Sequence, residues 1–225
     1  MPGDRDSLRR GLRLGVPISL VIGLVAITFG TIGVDMGLTP LQALVMSALV
    51  YAASGQIAAV TVIGSGGGLL PAVLASGLMN SRFLAMGLAL APSLTGGRLR
   101  RAAQGQAVVD TSWAMANNGD GTFDRWLLFG SSAPQYVAWV GGTALGAYGG
   151  GLIGDVDALG LDAVFPVFFL SLLIGELRGN GSRVIALAGG VVALALVPLT
   201  PPGVPVLAAS AVALVGLRRR GGGAR

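Results

Sequence analysis

One charged side chain lies in the middle of a long apolar stretch. Arg82 is the only charged residue between positions 69 and 94. An arginine at membrane depth costs roughly 2.5–3.5 kcal/mol on insertion scales, so it must face protein, water or a partner. Its guanidinium could hold a carboxylate through two parallel hydrogen bonds. Alternatively, it could form a structural ion pair, for example with Asp110, or extend towards a membrane interface.

Polar residues interrupt a second apolar stretch, at Ser54-Gly55-Gln56. A helix break there would expose backbone groups that are tolerated in a membrane only around a cavity or inside protein. The N-terminus of the resulting half-helix could hold an anionic group such as a carboxylate. The alternative is a packing glycine, with Gln56 bonded to a neighbouring helix.

Three further residues could take part in binding or proton transfer. Asn80 lies two residues before Arg82, about 200° around a helix, so the two would share a face only if the helix unwinds there. Asp110 could bind an ammonium group, carry a proton, cap a helix or pair with an arginine. Glu176 lies beside Arg178 at a predicted helix end, where a solvated ion pair or a proton-coupling role is open.

The composition predicts a membrane protein. Of 225 residues, 53% are hydrophobic and 11% are charged, against about 25% charged in soluble domains. There is no cysteine, histidine or lysine, which excludes disulfides, thiol nucleophiles, the Ser-His-Asp triad and metal sites built from His or Cys. We therefore expect no enzyme activity, cofactor or metal. The net charge of +5 comes from arginines clustered between apolar runs, which indicates membrane topology rather than nucleic-acid binding.

The order of the elements predicts an all-α, polytopic transmembrane bundle. We expect a cytoplasmic N-terminal segment (1–13), a single transmembrane domain (14–217) and a cytoplasmic basic tail (218–225). The apolar runs are 14–34, 41–63, 69–94, 127–148 (interrupted at Pro134-Gln135), 163–177, 184–199 and 204–217. The first run alone can cross a hydrocarbon core of ~30 Å at ~1.5 Å per residue.

Charge placement leaves two topologies open. Arginine-rich loops belong on the cytoplasmic side, which puts both termini and the loop around Arg98–Arg101 inside. Six crossings result if run 41–63 is re-entrant and broken near Gly55. Eight result if the more polar segment Ala102–Ala116 also crosses. Tryptophans such as Trp139 are typical of anchors at a membrane interface.

Three internal motifs follow one another along the chain: Ala53-Ser54-Gly55-Gln56, Asn80-Ser81-Arg82 and Val109-Asp110-Thr111-Ser112-Trp113. Before them stands the opening Gly15-Val16-Pro17 with Phe29-Gly30. In this order the motifs resemble the AzlC family, the large subunit of branched-chain amino acid exporters, and the resemblance covers roughly residues 10–215.

The resemblance implies an inner-membrane exporter of valine, leucine, isoleucine and sometimes methionine, driven by the proton gradient. It also implies a small second membrane subunit of the AzlD type, and a homo-oligomer is compatible with it. Family members often carry histidine where this chain has Phe83. Because the chain has no histidine, any proton relay would use Asp110, Glu176 or another carboxylate.

On this hypothesis, Ser54, Gly55 and Gln56 line a cavity, Asn80 and Arg82 orient the substrate carboxylate, and Asp110 meets the ammonium or the proton. The alternative is a membrane subunit that does not transport and stabilises a partner membrane protein. Its intramembrane polar residues would then be helix–helix contacts.

Overall fold

The computed structural model describes residues 3–153 and 180–200, together with positions 170, 174, 204–205, 208–209 and 211–212. Over these residues the all-α prediction is confirmed. Glu176 and the predicted tail 218–225 lie outside the described residues. The helices are α1 (Asp4–Asp35), α2 (Pro40–Val50), α3 (Ala53–Gly64), α4 (Leu69–Asn80), α5 (Arg82–Leu90), α6 (Arg98–Gly105), α7 (Asp110–Ala116), α8 (Arg125–Ile153) and α9 (Asn180–Leu196).

Among the described helices, α1 is long and apolar enough to cross a bilayer by itself. It begins ten residues before the predicted apolar run, so the arginines near the N-terminus lie on a helix. The helices α4 and α5 are separated only by Ser81, and as a bent pair they provide a second candidate span.

The described residues fall into two compact units, one of residues 3–56 and 80–153, the other of residues 57–79 and those from 170 onward. In the first unit, α1 and α8 pack backbone to backbone. A Cβ added at Gly15, Gly30 or Gly146 would overlap with a main-chain carbonyl of the other helix. Such close approach through small residues is typical of membrane helix pairs.

Helix α8 continues through Pro134-Gln135, where the apolar run is interrupted. Proline lacks a backbone N–H and normally weakens a helix. The Gln135 side chain donates from Nε2 to the Ser131 carbonyl at 2.7 Å, which adds a hydrogen bond across this turn. Side-chain bonds of this kind allow a proline to remain inside a membrane helix.

The apolar run 41–63 is broken, as predicted, but at a different place. Thr39 caps the start of α2, where its side chain and that of Gln42 exchange hydrogen bonds with each other's backbone N–H. The helix ends at Tyr51, which adopts a left-handed conformation with φ of 44°. The break therefore lies at Tyr51 and Ala52, and Ser54-Gly55-Gln56 forms the first turn of α3.

The more polar segment Ala102–Ala116, a possible crossing in the topology with eight crossings, is divided between α6 and α7. The three arginines that were predicted in a loop lie on α6 and are exposed: Arg98, Arg100 and Arg101. Neither helix reaches across ~30 Å at ~1.5 Å per residue. The topology with eight crossings would need this broken segment to span the membrane.

An apolar cluster fixes the positions of α5 and α7 against α8. Trp113 on α7 donates from Nε1 to the Met86 carbonyl of α5 at 3.3 Å, and its ring lies 5.1 Å from that of Phe123. This cluster matters for function because α5 begins with Arg82 and α7 begins with Asp110. Its buried members are Leu90, Leu94, Val108, Ala116, Leu127 and Leu128.

Candidate functional site

Arg82 forms an ion pair with Asp110 and a hydrogen bond with Ser54. Its Nη2 lies 2.8 Å from Asp110 Oδ2 and 2.9 Å from Ser54 Oγ. Ser54 is buried, whereas the side chains of Arg82 and Asp110 are 38% and 40% exposed. The guanidinium also lies over the Phe83 ring, 5.1 Å from its centroid. The ion pair that the sequence left open is thus present, and both of its members are accessible.

Helix breaks bring these residues together. Ser54 lies in the first turn of α3, after the break at Tyr51, and Arg82 is the first residue of α5, after the break at Ser81. The Arg82 guanidinium is the positive charge of this group, and the Asp110 carboxylate offsets it.

Asn80 packs against Gly55, which follows Ser54 in the first turn of α3. A Cβ at Gly55 would overlap with the Asn80 side-chain amide, so glycine is required there for this contact. Asn80 and Arg82 therefore both contact the start of α3. From the sequence, the two residues were expected to share a face only if the helix is interrupted between them, as it is at Ser81. Asn80 Oδ1 and Arg82 Nε are buried and find no hydrogen-bond partner among the described residues. Each is a polar atom available to a ligand if the site opens.

Gln56 belongs to a separate, fully buried cluster. Its Nε2 donates to Ser47 Oγ at 3.0 Å, and its Oε1 accepts from Trp139 Nε1 at 3.0 Å and from the Ala52 backbone N–H at 3.3 Å. Ser47 Oγ and Thr143 Oγ1 lie 2.8 Å apart. These bonds tie α2 and the start of α3 to α8. The structure thus brings together Ser54, Gly55, Asn80, Arg82 and Asp110, and places the Gln56 side chain among structural contacts.

Sequence reasoning missed the partners in this cluster. Trp139 is 3% exposed and stacks on Phe29, so its assignment as an interface anchor is wrong. Gln135 accepts from Thr111 Oγ1 at 2.5 Å and links α7 to α8. The available signal was the same one that identified Gln56: single polar residues inside apolar runs, which must find a partner when they are buried.

We expect Gln56→Leu to lower the stability of the protein substantially. The substitution leaves Trp139 Nε1 and Ser47 Oγ without the partners that Gln56 supplies, and a buried unsatisfied polar group costs about 1–3 kcal/mol. Thermal unfolding of the purified protein in mild detergent measures the effect. Gln106→Leu is the control. Gln106 is exposed, and among the described residues its side chain makes one hydrogen bond, to the Leu49 carbonyl. Equal unfolding temperatures for the two variants would contradict the structural role of Gln56.

An open pocket of about 280 Å³ lies between α6 and α8 in the same unit. Its walls are mostly apolar, and Ala107, one of its lining residues, lies three residues before Asp110 in the sequence. The lining residues are Ala103, Gln106, Ala107, Phe129, Ser132, Ala133 and Tyr136. Within the described part of the chain, no three side chains of metal-binding type come together.

Comparisons with known proteins agree with these motifs. The family described as AzlC protein matches residues 17–153, which include every predicted substrate-binding residue. An uncharacterized membrane protein of Archaeoglobus fulgidus is 34% identical over 205 residues, covering 90% of each chain. The inner membrane protein YgaZ of Escherichia coli is 28% identical, over 84% of this chain and 77% of its own. No solved structure matches significantly.

Proposed function

Because the chain belongs to the AzlC family, we propose that it is an inner-membrane permease that exports branched-chain and other hydrophobic amino acids, methionine included. Transport would be coupled to the proton gradient and would need a small membrane subunit of the AzlD type. The names of the relatives, which include two membrane proteins and an inner membrane protein, support a multi-pass location in the bacterial inner membrane.

The accessible pair of Arg82 and Asp110 carries this proposal. A free amino acid has a carboxylate and an ammonium group close together, and this pair presents the complementary cation and anion 2.8 Å apart. In our proposal, Arg82 binds the carboxylate by charge-assisted hydrogen bonds, and Asp110 binds the ammonium or takes up the transported proton. Glu176 remains a second candidate for proton coupling.

The neighbouring residues shape the site in this proposal. The Asn80 amide, held against Gly55, supplies Oδ1 as an additional acceptor for the ammonium group. Ser54 orients the guanidinium through its hydrogen bond to Nη2. Gln56 contributes by fixing the start of α3 on α8.

The proposed substrate class is supported by the character of the nearby pocket. Its walls between α6 and α8 are mostly apolar, and the pocket holds no charged side chain. An apolar wall gains roughly 25 cal/mol for each Å² of apolar substrate surface that it buries. Leucine, isoleucine and valine would therefore be favoured over polar amino acids.

Transport into membrane vesicles tests the proposal. Inside-out vesicles that contain this chain and its small subunit should accumulate labelled leucine and valine when a proton gradient is imposed. The uptake should saturate, should stop with a protonophore, and should be competed by unlabelled isoleucine but not by glutamate. Vesicles without the chain are the control. Absence of saturable leucine and valine transport, with both subunits present in the membrane, would refute the proposed activity.

A second candidate function is a membrane subunit that does not transport and stabilises a partner membrane protein. The internal bonding of Gln56 and the pairing of Arg82 with Asp110 favour it, because a purely structural subunit would use its polar residues in this way. The two functions differ in one result. Substitution of Arg82 would lower the yield of the complex in the structural case, and would lower transport at normal yield in the permease case.

A further inference from the structure

Asp110 and Ser54 together occupy the Nη2 atom of Arg82, which a bidentate substrate carboxylate needs. A guanidinium binds a carboxylate by two parallel bonds along one of two edges, formed by Nη2 with either Nε or Nη1. Both edges therefore use Nη2. In this structure Nη2 bonds to Ser54 Oγ and to Asp110 Oδ2, and it has two hydrogens to give. A bidentate carboxylate can enter only if one of these two partners leaves.

The exposure of the two partners indicates which one leaves. Ser54 is 1% exposed in the first turn of α3, so its hydroxyl is confined. The Asp110 side chain is 40% exposed and holds Arg82 through a single oxygen. An ion pair with this exposure contributes little to stability. Asp110 is also a carboxylate, so a substrate carboxylate replaces it on Nη2 without a change in the type of bond.

The unpaired Arg82 Nε supports this arrangement. Nε is buried and has no partner among the described residues, although it belongs to one of the two carboxylate-binding edges. A buried donor that is left without a hydrogen-bond partner is unfavourable. A substrate carboxylate on the edge formed by Nε and Nη2 would satisfy it, whereas Asp110 does not.

We infer that Asp110 is an internal competitor of the substrate: its carboxylate closes the Arg82 site, and the substrate carboxylate must displace it. The displaced Asp110 carboxylate is then free to pair with the substrate ammonium or to accept a proton, which neutralises it and prevents it from returning to Arg82. This inference rests on the proposed function and adds an order of events to it.

A probe that has a carboxylate but no ammonium group isolates the competition. Isocaproate has the carbon skeleton and carboxylate of leucine, so Asp110 can only oppose its binding. Binding to the purified complex is measured at fixed pH for the wild type, Asp110→Asn and Asp110→Ala. We expect both variants to bind isocaproate roughly two- to five-fold more tightly, which is the range that corresponds to an exposed ion pair.

Two controls keep the charge effect specific. Asp110→Glu retains a competing carboxylate and should bind isocaproate as the wild type does. Asp35→Asn removes one negative charge at the exposed end of α1 and should also leave the affinity unchanged. Thermal unfolding of each variant confirms that it is folded before binding is measured.

The outcomes separate this inference from the proposed function. If the wild type transports leucine but both neutral variants bind isocaproate no more tightly than the wild type, Asp110 does not compete and the inference is wrong. The inference is also wrong if neither the wild type nor the two neutral variants bind isocaproate. If the wild type does not transport leucine or valine, the proposed function itself fails.

Discussion

Replacement of Arg82 by alanine should strongly weaken amino acid transport while leaving the protein folded. The substitution removes the cation that we propose for the substrate carboxylate, and hydrogen bonds to charged groups contribute about 1.5–3 kcal/mol. The affinity for leucine should therefore fall roughly 10- to 100-fold. Stability should fall only moderately, because the Arg82–Asp110 pair is about 40% exposed on each side, although the buried Ser54 hydroxyl loses its Arg82 partner. Labelled leucine uptake and thermal unfolding measure the two effects.

Arg82→Lys separates charge from geometry. Lysine keeps the positive charge but cannot form two parallel bonds to a carboxylate. We expect it to recover part of the leucine affinity lost in Arg82→Ala. Arg101→Ala is the matched control, since Arg101 is an exposed arginine on α6. Full transport by Arg82→Ala would remove Arg82 from the binding site, whatever the activity of the protein.

The sequence was sufficient to identify the residues that gather at the site. A charge or an amide inside an apolar run needs a partner, and the three motifs that contain Ser54, Asn80, Arg82 and Asp110 stood out for that reason. These four residues meet near the starts of α3, α5 and α7. Their order in the sequence did not predict the contacts, because each contact joins elements that are far apart in the chain.

Helix ends were predicted less well, because tertiary contacts determine them. Proline normally weakens a helix, yet the side chain of Gln135 bonds to the preceding turn and α8 continues. The break before α3 occurs at Tyr51, a residue with no intrinsic preference for positive φ. Contacts to α8 stabilise that turn, since the Tyr51 hydroxyl donates to the Ser132 carbonyl at 3.4 Å and its ring packs edge-on against Tyr136.

The same reasoning explains the difference between Gly55 and Gln56. Both were predicted to line a cavity because they follow one another at an apparent break. In a helical first turn, adjacent residues point about 100° apart. Gly55 therefore meets Asn80, while Gln56 meets Trp139 and Ser47 on the side of α8. The exact phase of the helix, which the sequence alone does not define, decides which residue faces the site.

The largest effect on folding is expected from a substitution far from the candidate site. Gly146→Leu places a side chain where α1 and α8 touch through their backbones: even a Cβ at this position would overlap with the Ile27 carbonyl and would lie 3.0 Å from the Thr31 nitrogen. The helices must separate, which also breaks the 3.4 Å bond from Thr31 Oγ1 to the Gly146 carbonyl. Overpacking of a close contact costs about 1–3 kcal/mol and more when a backbone has to move, so we expect most of the protein to be lost as misfolded material.

Gly149→Leu provides the matched comparison on the same helix. A Cβ at Gly149 would meet no atom within 4 Å, and leucine favours a helix over glycine by up to about 1 kcal/mol. This variant should therefore fold as well as the wild type. Size-exclusion profiles in mild detergent and thermal unfolding distinguish the two. If Gly146→Leu gave a single sharp peak and the unfolding temperature of the wild type, the α1–α8 contact described here would be wrong. Because α8 also carries Trp139 and Gln135, which hold α3 and α7, that contact also supports the geometry around Arg82.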